Sequence, residues 1–255
     1  MSEESNDESG LDSVLAAKQL SYQYGNFCVW KDIELELLAG EIAFLLGANG
    51  SGKTTLLRCL AGWTAPKTGS ITLNGESLAG AKRNQRSQII FILDAPIFYD
   101  DLTAQEHIDF ILKANRKESL LENATRLMMD FGLTQYQGVF PSSYSRGMKV
   151  KLALVLGLML EPGIFLLDEP YGALDSDAAW VLSQELQAAS ARGATVIISC
   201  HHPISGLLPD KVFHLHDDKL DILDASSLRD FWPNTCASDG LDEAGASTRI
   251  SIARH

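Results

Sequence analysis

The chain has 255 residues, 45% of them apolar, and carries 33 acidic against 21 basic side chains for a net charge of −12. That size suits one large or two small globular domains with a real core, while the acidic balance argues against a surface that binds nucleic acid backbones through a general basic field. The longest apolar run, Leu152–Leu160, is too short for a membrane span and is followed at once by Glu161 and Pro162, and the scattered Cys28, Cys59, Cys200 and Cys236 contain no C-x-x-C pair that would indicate a zinc site or disulfide framework.

Residues 1–13 hold five acids and no Lys or Arg, so a disordered acidic tail is expected there. This start is the opposite of a signal peptide's basic and apolar one, and a cytoplasmic chain is expected. From Ala17 to Leu38 the apolar positions Leu20, Tyr22, Tyr24, Val29, Ile33, Leu35 and Leu37 alternate with polar ones, as in half-buried antiparallel strands, with Gly25-Asn26 as the turn. The continuous run Ile42–Leu46 between Gly40 and Gly47 suits a fully buried strand. Next comes Gly47-Ala48-Asn49-Gly50-Ser51-Gly52-Lys53-Thr54, followed by Thr55 and apolar residues at helical spacing as far as Gly62. This is the P-loop pattern G-x-x-x-x-G-K-T in its strand–loop–helix context. Its glycines let successive backbone N–H groups turn toward one anion, and the new helix adds the positive end of its dipole. Lys53 is then expected at the β- and γ-phosphates of a nucleotide and the Thr54 hydroxyl on Mg²⁺.

Ser70–Leu73, ending at Asn74-Gly75, predicts a further strand and hence an added β-layer. The run Ile89–Ile92 predicts a core strand, and after Pro96 the patterns at 103–115 and 118–131 are helical without further strand signal, so about 95–155 reads as a helical insertion. A helix from Ser145 to Leu160, a buried strand at Ile164–Leu167, a helix over 176–191 and a strand at Thr195–Ser199 follow. Such alternation implies a parallel sheet. Beyond about Asp224 the periodicity fades, and 226–255 reads as a loose tail. No repeat of 20–50 residues is present, which excludes solenoids and a tandem duplication. The strand at 164–167 ends in Asp168 and Glu169, and carboxylates there lie on the same sheet edge as the P-loop. Asp168 is placed to hold Mg²⁺ directly or through its water, and Glu169 to act as general base on the attacking water.

Asp168-Glu169-Pro170, then Gly172-Ala173-Leu174-Asp175, then Cys200-His201, resemble the ATPase of ATP-binding cassette (ABC) transporters, over roughly residues 15–222. The resemblance implies an α/β P-loop NTPase fold over about 14–225, with a RecA-like parallel sheet core, an antiparallel β-layer and a helical subdomain. It implies that Asp175 belongs to a loop that reads a partner subunit, that His201 contacts the γ-phosphate, and that Tyr24 stacks on adenine. Tyr22 competes for that role, and packing as a core strand tyrosine is the alternative for Tyr24. Tyr144-Ser145-Arg146-Gly147-Met148 is similar to the family's L-S-G-G-Q signature but keeps only the Ser and the second Gly. At a helix N-terminus the Ser145 hydroxyl and Gly147 amide can bind a γ-phosphate held by another subunit's P-loop, which implies a head-to-tail dimer with ATP between the subunits.

Arg146 puts a cation where the family usually has Gly, and Asp94 stands where it usually has Gln, still able to reach Mg²⁺ through water. The segment Ile97–Thr103 is similar to the one that receives a helix from the membrane subunit, with Phe98 and Tyr99 either lining that groove or packing within the insertion. The resemblance thus implies an ATP- and Mg²⁺-dependent ATPase that powers a separate membrane-spanning permease from the cytoplasmic face. The departures at 94 and 144–148 look more like exporter ATPases, of the haem-exporter or ABC-2 type, than like importers. A soluble ABC ATPase of an assembly complex, such as an iron–sulfur scaffold, is the alternative.

Overall fold

The computed structural model describes residues 13–228. The expected acidic tail, most of the expected C-terminal tail and Cys236 lie outside the described residues. In chain order the regular elements are β1 (Leu15–Tyr24), β2 (Phe27–Leu37), β3 (Ile42–Leu46), α1 (Lys53–Leu60), β4 (Thr68–Leu73), β5 (Glu76–Ser77), α2 (Arg83–Arg86) and β6 (Ile89–Ile92). They continue with α3 (Ala104–Asn115), α4 (Leu121–Asp130), α5 (Arg146–Leu158), β7 (Ile164–Asp168), α6 (Ser176–Ala191), β8 (Thr195–Ser199), β9 (Lys211–His216) and β10 (Lys219–Asp224).

These strands form a four-stranded antiparallel sheet in the order β2-β1-β4-β5 and a six-stranded sheet in the order β10-β9-β3-β8-β7-β6. In the larger sheet β9, β3, β8, β7 and β6 run parallel, and β10 closes one edge antiparallel to β9. Strand periodicity sorts its side chains into two cores, because successive residues point to opposite faces. Ile42, Phe44, Leu46, Phe165 and Leu167 face the helices α3 to α6. Ala43, Leu45, Ile164 and Leu166 face α1 and the antiparallel sheet. Burial on both faces is why these strands read as unbroken apolar runs.

The helical insertion is continuous with the first of these cores through Ile108, Leu112, Leu127 and Met128. Its first helix starts at a capping box in which Thr103 Oγ1 accepts from the Glu106 amide and Glu106 accepts from the Thr103 amide, a reciprocal pairing that satisfies two otherwise orphaned donors. Arg126 of α4 reaches Glu185 of α6 through two contacts, at 2.6 and 3.1 Å, tying the insertion to the sheet's helical cover.

The expected strands, turn and helices are present with end shifts. The helix expected to run to Leu160 stops at Leu158, and the 118–131 pattern divides into a 3₁₀ turn at 118–120 and α4. Three strands had no sequence-based expectation: the two-residue β5, β9, in which the buried Val212, Phe213 and Leu215 are interspersed with Lys211, His214 and His216, and β10, a mostly exposed edge. Among the described residues no helix is long and apolar enough to cross a membrane.

Candidate active site

Three neighbouring strands of the parallel sheet, β3, β8 and β7, deliver their C-terminal ends to one place, which is where ligands bind in open α/β sheets. The end of β3 opens into the P-loop. Gly52, at the start of α1, has φ +100°, and a Cβ there would lie 2.5 Å from Val29 Cγ1 and 2.9 Å from Trp30 Cδ1. Backbone conformation and the β2 side chains beneath therefore both demand glycine. Lys53 is buried, and its ammonium donates to the carbonyls of Gly47 (2.9 Å) and Ala48 (3.2 Å). The same Nζ lies 3.2 Å from His201 Nε2 and 3.8 Å from Glu169 Oε1. Burial pulls the Lys53 pKa down, and Glu169 and Asp168 oppose that shift.

The end of β7 supplies Asp168, which is buried and held on both oxygens: Thr54 Oγ1 donates to Oδ2 and Ser199 Oγ to Oδ1, each at 2.7 Å. Ser199 Oγ also accepts from the Glu169 amide at 2.9 Å. Glu169 itself sits at φ +50°, a left-handed conformation that costs a non-glycine residue about 1–3 kcal/mol and survives only where its surroundings over-determine it. Here the Ser199 bond on one side and the 3₁₀ turn Pro170–Ala173 on the other do so. Glu169 Oε1 meets His201 Nε2 at 2.6 Å. The Glu169 carboxylate and the His201 imidazole are thus in direct contact.

Thr54 and Asp168 present adjacent oxygen donors beside the phosphate cradle. That donor set fits Mg²⁺, which takes one or two protein oxygens and fills its remaining positions with water and phosphate. The Asp94 carboxylate pairs with the Arg146 guanidinium at 2.5 Å and has no recorded hydrogen bond to Thr54 or Asp168.

A cavity of about 490 Å³ joins residues 49, 50 and 52–55 and Glu169 to Tyr24, Phe27 and Val29 of the β1–β2 hairpin. Here the structure separates the two tyrosines. Tyr22 is half-buried and packs on Trp30, with ring centroids 5.7 Å apart, whereas Tyr24 is 54% exposed, lines the cavity and places its hydroxyl 3.3 Å from Thr55 Oγ1. Phe27, exposed on the same wall, carried no sequence signal beyond its place in a strand. Ser199 was legible only as the last residue of a buried strand, although it binds the Asp168 carboxylate and the Glu169 amide.

Ser145, Gly147 and Asp175 do not line this cavity. Ser145 caps α5 by accepting from the Met148 amide at 3.3 Å. At Gly147 a Cβ would meet the Ala173 carbonyl oxygen at 2.7 Å, so the start of α5 can approach the 170–173 turn only with glycine there. Asp175 caps α6 through the Ala178 amide (2.9 Å) and pairs with Lys151 of α5 (2.5 Å). Lys151 first, and then the Ala178 amide, hold the Asp175 carboxyl below its ordinary pKa. In the 97–103 segment Phe98 packs edge-on to His107 at 5.5 Å while Ile97 and Tyr99 stay exposed, over a groove of about 690 Å³ that also takes in Trp63 and Phe91.

The sequence profile of the ABC transporter family matches residues 30–172, which hold the P-loop, the Ser145–Gly147 turn and the Asp168-Glu169 strand end. The chain belongs to the ABC transporter ATPase family. It is 33% identical over 191 residues to the ABC-type transporter ATP-binding protein EcsA of Bacillus subtilis, covering 74% of this chain and 77% of that one. It is 32% identical to the sulfate/thiosulfate import ATP-binding protein CysA of Caulobacter vibrioides, over 82% of this chain but only 63% of the relative. Among solved structures, an ATP-binding subunit of an ABC transporter superposes with TM-score 0.77 at 29% identity, covering 86% of this chain and 92% of that one. The cbiO1 subunit from Clostridium perfringens, described as part of the cbiONQ transporter complex, shares the fold at TM-score 0.69 and 23% identity, over 85% and 90% of the two chains. These relatives do not favour the assembly-complex alternative, and the import proteins among them leave the exporter subtype without support from the comparisons.

Proposed function

We propose that this ABC ATPase hydrolyses ATP to drive transport through a separate membrane-spanning permease, from the cytoplasmic face of the membrane and as a head-to-tail pair with a second ATPase subunit. The observation that carries this reading is the convergence of two contact sets, Lys53–His201–Glu169 and Thr54–Asp168, bridged by Ser199, with Lys53, Thr54 and Glu169 lining the Tyr24 cavity. Tyr24 offers a face on which adenine stacks, the glycine loop and Lys53 take the phosphates, and Thr54 and Asp168 would hold Mg²⁺, which would supply charge neutralisation to the phosphates. Glu169 accepts a proton from the attacking water, and His201 holds the carboxylate in place.

The head-to-tail pairing rests on the capped Ser145–Gly147 turn and on Asp175, which do not line this cavity. The groove beside Ile97 and Tyr99 is the surface for the permease. Export remains supported only by the departures at 94 and 144–148. The test is a pull-down from detergent-solubilised membranes with ATP present: a polytopic partner is expected and its sequence assigns the direction, whereas soluble partners alone would refute the transport reading.

A further inference from the structure

Two side chains already met as oddities at separate sites contact each other. Asp94 follows β6 by two residues, where the chain leaves the sheet for the helical insertion, and Arg146 is the first residue of α5, where it returns. Their side chains meet at 2.5 Å across 52 positions of sequence, with 41% and 65% of them exposed. A cation in that place needs an explanation, since the positive end of a helix dipole repels it, and the first turn of α5 contains no acid of its own. The other α5 cation with a recorded ion pair, Lys151, uses Asp175. Asp94 is therefore the anion that offsets Arg146, supplied from a different element.

We propose that Asp94 and Arg146 act as one unit, an ion pair across the neck of the helical insertion that positions the Ser145–Gly147 turn, and that Asp94 is the counter-ion of Arg146 rather than a magnesium ligand. Arg146 sits between Ser145, whose hydroxyl caps α5, and Gly147, which abuts the 170–173 turn following Glu169. Holding the guanidinium on Asp94 sets the direction in which this short turn faces. Both residues are positioning residues in this account. Their effect on turnover rests on the proposed function, while the pairing itself does not.

The test is a double-mutant cycle with Asp94→Asn, Arg146→Gln and the double variant. Each single change is expected to lower kcat for ATP hydrolysis about two- to five-fold, the range an exposed pair supports. KM for ATP and the magnesium concentration giving half-maximal rate are expected to stay unchanged, and the double variant to be no slower than either single one. A raised magnesium requirement in Asp94→Asn, no loss in either single variant, or multiplicative losses would overturn the proposal. The same cycle is read on the melting temperature without nucleotide, where non-additive shifts are expected and additive ones would overturn the pairing. If the unaltered chain hydrolyses no ATP, the functional reading fails, and the melting cycle alone decides the pair.

Discussion

Ser199→Ala tests how far one buried hydroxyl holds the Asp168 carboxylate and the Glu169 backbone. The side chain is fully buried and serves two partners, donating to Asp168 Oδ1 at 2.7 Å and accepting from the Glu169 amide at 2.9 Å. The bond to a charged acceptor contributes about 1.5–3 kcal/mol, and the one from a neutral amide about 0.5–1.5 kcal/mol. Alanine fills nearly the same space, so no cavity cost is added, and the expected loss is about 2–4 kcal/mol. Set against a total stability of about 5–15 kcal/mol, that is a large change for one atom. Urea unfolding should show a lower midpoint with an unchanged slope, and ATP turnover should fall because Glu169 loses the bond that helps hold its left-handed backbone. Thr54→Val removes the hydroxyl on the other oxygen of Asp168, so the two substitutions should couple rather than add. A stability change below about 0.5 kcal/mol, the range of a neutral surface substitution, together with normal turnover would refute the role given to Ser199.

Other substitutions and conditions test the rest of the site. Glu169→Gln should keep nucleotide affinity while lowering kcat about 10²–10⁴-fold, and hydrolysis at the normal rate would remove Glu169 from its role as base. The Asp175 carboxyl is held below its ordinary pKa by Lys151 and the Ala178 amide. Its contribution to stability is therefore present above the unfolded value of about 4 and disappears as pH falls through the lower folded value; acid unfolding followed by circular dichroism should be shallower below that pH in Asp175→Asn. Burial raises the thiol pKa of Cys59 to about 11 and that of Cys200 to about 12, whereas Cys28 is exposed. Iodoacetamide at mildly alkaline pH should therefore label Cys28 in the folded chain and reach Cys59 and Cys200 only in denaturant, as peptide mass mapping would show.

The P-loop, the strand ending in Asp168 and Glu169, and the succession of strands and helices around them were legible in the sequence because each rests on local rules. Those rules are the steric freedom of glycine at positions such as Gly52, the period of apolar residues, and the contiguity of a loop with the helix it opens. Relations between segments far apart in the chain carry no such local signal, and the tertiary structure decided them. Ser199 binds the Glu169 amide and the Asp168 carboxylate, 30 and 31 positions away, because β7 and β8 are neighbours in register. Tyr24 rather than Tyr22 reaches the cavity because Tyr22 is taken up against Trp30. The strands β9 and β10 became visible only as pairs, since their histidines and acids mask a period that the partner strand completes. Asp94 stood in a sequence position suited to a metal ligand. Its place opposite Arg146 followed from how the helical insertion folds back on the edge of the sheet, because an ion pair depends on distance in space, which local sequence rules do not specify.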